Sequence, residues 1–421
     1  MNQGKFRWNG WDLLEKLADA PHEIVQWAKG KTGTLLYESA QLDHMTGIRL
    51  TSDAVDELRA RLKKGRGDAE YEKEPSAAES ALLARIRAAA VDWNRNNVTR
   101  TQAYLDMYRR HPELHWSLLA HMVSRNGGWN MTDLKGELLP YLLNETRQKH
   151  VFAFLERANA LIFHDSYPQL LLYEASLKAG KPLFRLLRHL QVSSFMRPVW
   201  EQFWERRDSA LLTVAMIVNE QNFIESRVVR HPVYRETVLD TLLIHAQLLL
   251  QLNQIVLPYR EAGQLRLAGL VLENFNHLKE RIEVGKRLYA ILFGIPAVAQ
   301  GALSFAASTR HSGSRADYWP HLFSAVRHFP PVPRGQLKEW LDGCKLRPGA
   351  SPLYSPRLSD VWKDCPFAAC EPGDWYRHDD REQWLAYLSS TEPPFSFEMT
   401  HEYCFGLNKI ELAVLAGDLL E

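Results

Sequence analysis

Cysteine is scarce in this sequence, with four in 421 residues, Cys344, Cys365, Cys370 and Cys404, all in the last quarter. So few in so long a chain do not make the disulfide scaffold that holds small secreted domains together. Charge of one sign is lacking too: 51 Lys and Arg stand against 50 Asp and Glu, a net +1. Grip on nucleic acid comes from phosphate neutralisation, so this balance argues against nucleic acid as the main partner. The opening Met1 to Trp8 has none of the continuous apolar run that a secretory leader needs, and the expected compartment is the cytoplasm. The Asn-x-Thr triplets at Asn97, Asn130 and Asn144 then carry no glycosylation meaning. No His-Glu-x-x-His, nucleophile elbow, dinucleotide fingerprint or Walker-type loop occurs.

One long uncharged run is present, Tyr289–Ser308, and it is long enough to span a bilayer. It is rich in alanine, carries Gln300, and is interrupted by Gly294 and Pro296. The expectation is a buried helix pair broken near Gly294–Pro296, with no transmembrane helix. Peripheral membrane contact is the weaker alternative.

Hydrophobic residues at 46% and charged residues at 24% supply ample core for a globular protein. Apolar residues recur at three- and four-residue spacing from Trp8 to about Phe329, and alternation with period two is scarce. The fold class expected is mainly α: a compact multi-helix array with an irregular, aromatic- and Pro-rich C-terminal segment. Three regions follow: an N-terminal helical extension with a mixed-charge linker (1–75), a helical core (76–329) and the irregular segment (330–421).

Within the extension, amphipathic stretches cover Trp11–Ala28 and Ser52–Lys64. In the core, helices are expected at Ala77–Trp93, Thr101–Arg110, Pro112–Arg125, Arg147–Phe163, Pro168–Leu177, Phe195–Arg207, Ser209–Arg227 and Tyr234–Asn253. Gly263–Phe293, with an internal break, and Ala316–Phe329 complete the set. Gly127 and Gly128 read as a helix end, and Asn130 with Asp133 as the cap of a fresh helix. After Phe329, Trp340, Trp362, Trp375 and Trp384 read as anchors by which the tail docks on the helical body.

The richest candidate site runs from His115 to Leu134. Ser117, His121 and Ser124/Arg125 share a helical stripe. With a helix ending at Gly127 and another starting at Asn130, free amides would meet Arg125 beside a histidine. Ser124, Arg125, Asn126, Asn130 and Asp133 are therefore candidate ligand residues for a small phosphate- or carboxylate-bearing molecule. Arg310 and Arg315, in the Thr309–Trp319 loop, are candidates to join them. His121 is the single candidate proton carrier. A capping role explains most of these residues without any ligand.

Other polar groups read as structural. Asn219, Asn222 and Ser226 share one face of an otherwise apolar helix, as do Glu220 and Arg227, and suit an internal hydrogen-bond network. His164 and Asp165 are adjacent, which rarely lets two side chains cooperate. Cys365 and Cys370 resemble half of a zinc site that Cys344, Cys404, His378 or His401 would complete, but the spacing fits no common finger, so free cysteines and no metal are expected. No cofactor is indicated.

The run Ser124-Arg125-Asn126-Gly127-Gly128-Trp129-Asn130-Met131-Thr132-Asp133-Leu134, with Asn97 to Tyr104, resembles the bacterial family known as domain of unknown function 2515. This family is found mainly in Gram-positive spore-formers, and the likeness extends from about Ala77 to beyond Trp319. The resemblance implies a bacterial, non-secreted protein and brings no activity, cofactor or catalytic residue to carry over. Two functions then compete: a polar pocket for a small anionic ligand, enzymatic or not, and a helical scaffold that contacts a protein partner without catalysis.

Overall fold

In a computed structural model, residues 32–64, 73–240, 252–333, 336–368 and 370–416 are described. The stretch Trp11–Ala28, most of the mixed-charge linker and residues 241–251 lie outside the described residues. The fold is mainly α. Its principal helices are α1 (Ser52–Lys64), α2 (Ala77–Trp93), α3 (Asn97–Arg110), α4 (His115–Asp133), α5 (Glu145–Ala179), α6 (Met196–Arg206) and α7 (Ser209–Ile224). A hairpin of β1 (Gln254–Glu261) and β2 (Gln264–Val271) precedes α8 (Leu278–Gly294) and α9 (Pro296–Ser308), and α10 (Thr400–Ala416) comes last.

Local chemistry sets several boundaries. Ser76 and Glu79 form a reciprocal capping box at the start of α2, and Asn96 with Thr99 does the same for α3. Asn144 caps α5, which ends at Gly180 in the left-handed conformation, φ 64°. Helix α7 is almost wholly apolar from Ala210 to Val218, so that part packs on several sides, against α4, α5, α6 and α8. It is the central pillar of the core.

Four expectations need correction. First, α4 runs unbroken through Gly127 and Gly128 to Asp133, so Asn130 begins no helix and offers no ring of free amides. Two glycines lower helix propensity by about 1 kcal/mol each relative to alanine. Burial of most of α4, including Trp116, Trp129 and Met131, outweighs that cost. Second, α5 continues past Pro168, joining two expected helices into 35 residues. The proline, buried with Tyr167 and Gln169, forfeits one backbone bond inside a tightly packed segment. Third, the region expected to be helical from Gly263 holds the hairpin, in which Ala262 (φ 47°) and Gly263 (φ 79°) make the two-residue turn. Fourth, Ala316–Phe329 is not a helix; only Arg315–Asp317 makes a single 3-10 turn.

The uncharged run forms two helices, α8 and α9, bent by 90° at the expected break. Among the described residues no single helix is long and apolar enough to cross a membrane.

The C-terminal segment crosses the body in short pieces held by tryptophans. Trp362 stacks on Phe152 of α5 at 3.9 Å and donates to the Met131 carbonyl at 2.8 Å. Trp375 packs on Phe195 and donates to Asn219 at 2.9 Å. Backbone bonds from Gly269 to Phe397 and from Met399 to Leu267 cover the open edge of β2. Cys344 and Cys404 form a disulfide between this segment and α10, a pairing the sequence reading did not anticipate. Cys365 and Cys370 stand outside any disulfide, and among the described residues no three His, Cys, Asp or Glu side chains gather as metal ligands do.

Candidate functional site

Helix α4 divides the interior in two. Trp116, Leu119, Val123 and Gly127 look into a cavity of about 250 Å³ walled by α3, α5, α7, α8 and the hairpin. On the opposite face, His121 and Arg125 turn toward α3 and the loop 309–318. An apolar cavity of about 150 Å³ already admits benzene, so the α4 cavity has room for a larger molecule.

Three of the expected ligand residues line this cavity, Ser124, Asn126 and Asn130. Each one's polar atoms are already engaged. The Ser124 hydroxyl shares a hydrogen bond with Thr101 at 2.9 Å. Asn126 grips the backbone of β1 twice, donating to the Val256 carbonyl at 2.8 Å and accepting from its amide at 2.9 Å. Asn130 accepts from Arg315 at 3.1 Å and donates to Leu252 at 3.3 Å. Asp133 and Arg315 form a buried ion pair at 2.6 Å away from the cavity, and Arg315 also donates to the Tyr318 hydroxyl at 2.7 Å. That pair holds Arg315 well above its ordinary pKa despite burial. Arg310 is exposed.

Arg125 and His121 come together on the far face. The Arg125 guanidinium donates to the Thr309 carbonyl and lies over Phe305 at 4.7 Å. Its Nε and Nη1 have no partner, and it makes no ion pair with any described residue. Burial brings its pKa down to about 10, with Asp317 opposing the shift. His121 donates from Nδ1 to the Thr101 carbonyl at 2.7 Å, leaving Nε2 as a buried lone pair. Burial first, then Arg125, holds His121 neutral.

The two glycines of α4 do different work. A Cβ on Gly128 would come within 2.6 Å of His311 Nε2 and closer still to Asn97 Oδ1, two atoms bonded to each other at 2.9 Å. Neither atom has room to retreat. A Cβ on Gly127 would meet only the amide end of Asn159, at 2.9 Å, on the cavity side. Gly128→Ala is therefore expected to cost about 1–3 kcal/mol through overcrowding. Gly127→Ala is expected to be neutral or to gain up to about 1 kcal/mol of helix propensity. Chemical denaturation of the two variants checks this; equal losses would mean that the close approach of His311 is not what Gly128 serves.

The sequence assigns Glu220 only to an internal network and does not single out Arg281, yet these two charged groups line the cavity. Glu220, near the end of α7, accepts from Trp116 Nε1 at 3.1 Å and from Gln221 at 3.2 Å. Among the described residues no cation touches it, and it keeps some accessible surface because it faces the cavity. Burial, aided by the nearby Asp165, pushes its carboxyl up to about 8. Arg281 lines the same cavity but is spent on Glu225, Gln221 and the Phe275 carbonyl. A π-helical turn, Glu225–Val229, extends α7 and brings Glu225 to that pairing. The signal was legible: Glu220 follows Leu211–Val218, apolar but for Thr213, on a helix that had to be buried. Of the expected internal network Asn219 is in place, linking Asp165 of α5 to Trp375, whereas Asn222 donates to Val218 of its own helix, Ser226 is exposed and Arg227 turns to the Glu371 and Gly373 carbonyls of the tail.

The comparisons with known proteins agree on the family. No solved structure matches. The chain is 37% identical over 318 residues to the uncharacterized protein YppC of Bacillus subtilis, covering 72% of this chain and 96% of that protein. The family model described as protein of unknown function (DUF2515) matches residues 92–404, which take in the cavity, the Arg125 face and most of the tail, and the chain belongs to that family.

Proposed function

We propose that this is a bacterial small-molecule-binding protein whose ligand lies in the cavity between α4 and α8. The observation that carries the reading is a roomy, mostly apolar, partly open cavity with polar side chains from α4, α5, α7 and α8 in its lining, a form common among small-molecule sites. The scaffold alternative rests on exposed large apolar residues such as Leu36, Val91, Val233, Val326 and Phe329, and it leaves the cavity without a role. The Cys344–Cys404 bond weighs against the cytoplasmic placement expected from composition, since disulfides persist mainly in oxidising compartments.

A thermal-shift screen on wild type and Val123→Phe tests the proposal. A ligand at about a hundred times its Kd adds about 2.7 kcal/mol to stability. The large side chain at Val123 is expected to fill the cavity and weaken such a ligand at least tenfold while leaving the unliganded midpoint unchanged or raised. Ligands that bind Val123→Phe as well as wild type would move the site elsewhere.

The small anion expected from the sequence keeps one supporting observation, on the other face. Arg125 is a fully buried cation with two unpartnered nitrogens, Nε and Nη1, and no carboxylate partner among the described residues. Phosphate and sulfate in the same screen, repeated on Arg125→Met, address that second reading. Stabilisation lost with the guanidinium supports it, and no stabilisation of the wild type removes it.

A further inference from the structure

We propose that the cavity selects molecules with an apolar body and a positively charged nitrogen, seated with that nitrogen against Glu220. This rests on the cavity being a ligand site. Charge is sparse along the wall. Among the described lining residues only Glu220 and Arg281 carry ionisable charge of opposite sign, and they do not pair. Arg281 is neutralised by Glu225, which also receives Arg230 at 2.7 Å. Glu220 receives only neutral donors, the Trp116 indole and the Gln221 amide.

A buried carboxyl without a cation is costly to ionise, and the protein retains one facing the cavity. Its surroundings deepen the negative bias. Asp165 of α5 is buried nearby, tied to Asn219 and Gln169, with one carboxyl oxygen lacking a partner. Tyr104 of α3 and Trp116 of α4 add ring faces to the lining, together with Phe154 and Phe275. Aromatic walls attract cations through their quadrupoles and accept apolar surface equally well. An anionic head finds Arg281 already satisfied and no other cation among the described lining residues to receive it. A neutral head gains a hydrogen bond and no more. An ammonium group gains the charge-assisted bond that the site otherwise lacks.

Octylamine, octanol and octanoate share a chain and differ in head-group charge, so they separate the two claims. Calorimetric titration of wild type is expected to rank amine above alcohol by at least tenfold, with octanoate weakest. In Glu220→Gln the amine's advantage should vanish while alcohol affinity stays within about twofold. If alcohol and amine bind alike, or the advantage survives Glu220→Gln, the charge preference is wrong and the cavity reading stands. If none of the three binds wild type, the cavity reading falls and this inference with it. A second readout needs no variant. Docking an ammonium ion against Glu220 at neutral pH must expel its proton, so binding heats in buffers of differing ionisation enthalpy should report release of close to one proton. Asp165 on α5, Tyr104 on α3 and Arg281 on α8 are the other titratable groups facing this end, and the same titration on Asp165→Asn assigns the proton. Amine binding with no proton release overturns the proposed seat.

Discussion

Replacing Arg315 by methionine is expected to destabilise the protein by about 3–5 kcal/mol, the usual cost of leaving one half of a buried ion pair alone. Three acceptors depend on this guanidinium. Its Nε reaches Asp133 Oδ2 at 2.7 Å, Nη2 reaches Asn130 Oδ1 at 3.1 Å, and Nη1 reaches the Tyr318 hydroxyl at 2.7 Å. It also lies over the Tyr403 ring at 5.3 Å, tying α10 into the same cluster. Methionine occupies similar space but leaves Asp133 as an uncompensated, mostly buried carboxylate. Pairing Arg315→Met with Asp133→Leu should recover most of the loss, because apolar replacement of a whole buried pair is often neutral or better. Urea unfolding of the two variants checks both statements. A loss below about 1 kcal/mol for Arg315→Met would free this arginine for the ligand role that its sequence context suggested.

That contrast shows what the sequence discloses and what it withholds. The stripe Ser117–His121–Arg125 is a matter of helical spacing, and α4 does carry it inward on one face. The approach of Arg315 to Asp133 was expected only as convergence on a ligand; the two residues instead satisfy each other. Which outcome holds depends on how the loop 309–318 packs, and no local pattern encodes that. The same applies at Gly127–Gly128. A glycine pair reads as a helix end wherever local propensity decides, and here tertiary burial decides instead. The hairpin was hidden because Gln254–Glu261 and Gln264–Val271 follow a leucine-rich sequence and precede α8, although Ala262-Gly263 is a fair turn signal. A cavity is less legible still, being space left between α4, α5, α7 and α8, elements far apart along the chain. What the sequence did contain was the anomaly of Glu220, a carboxyl placed at the end of an apolar helix.

Stability is expected to fall between about pH 6.5 and 8.5, and the carboxyls Glu220, Asp165 and Glu411 are the cause. Burial raises all three in the folded state, Glu220 to about 8 and the other two to about 7. An unfolded carboxyl ionises near pH 4. Each group thus contributes stability in full at acid pH and loses it as the pH climbs from about 4 through its folded value, at up to about 1.4 kcal/mol per pH unit. The buried histidines work in the opposite sense. His121, His311 and His115 are depressed by burial, so their neutral folded forms cost stability in acid, an effect complete once the pH passes about 6.5. Above that point the carboxyls alone slope downward, by a total on the order of 2–4 kcal/mol. Glu220→Gln should flatten the upper part of the curve, since Glu220 has the highest folded value of the three. Denaturant midpoints at three pH values across the window decide it. A profile that is level, or that rises toward pH 8.5, would mean that Glu220 is ionised in the folded protein and already has a cation, and the site would then have no need of a charged ligand.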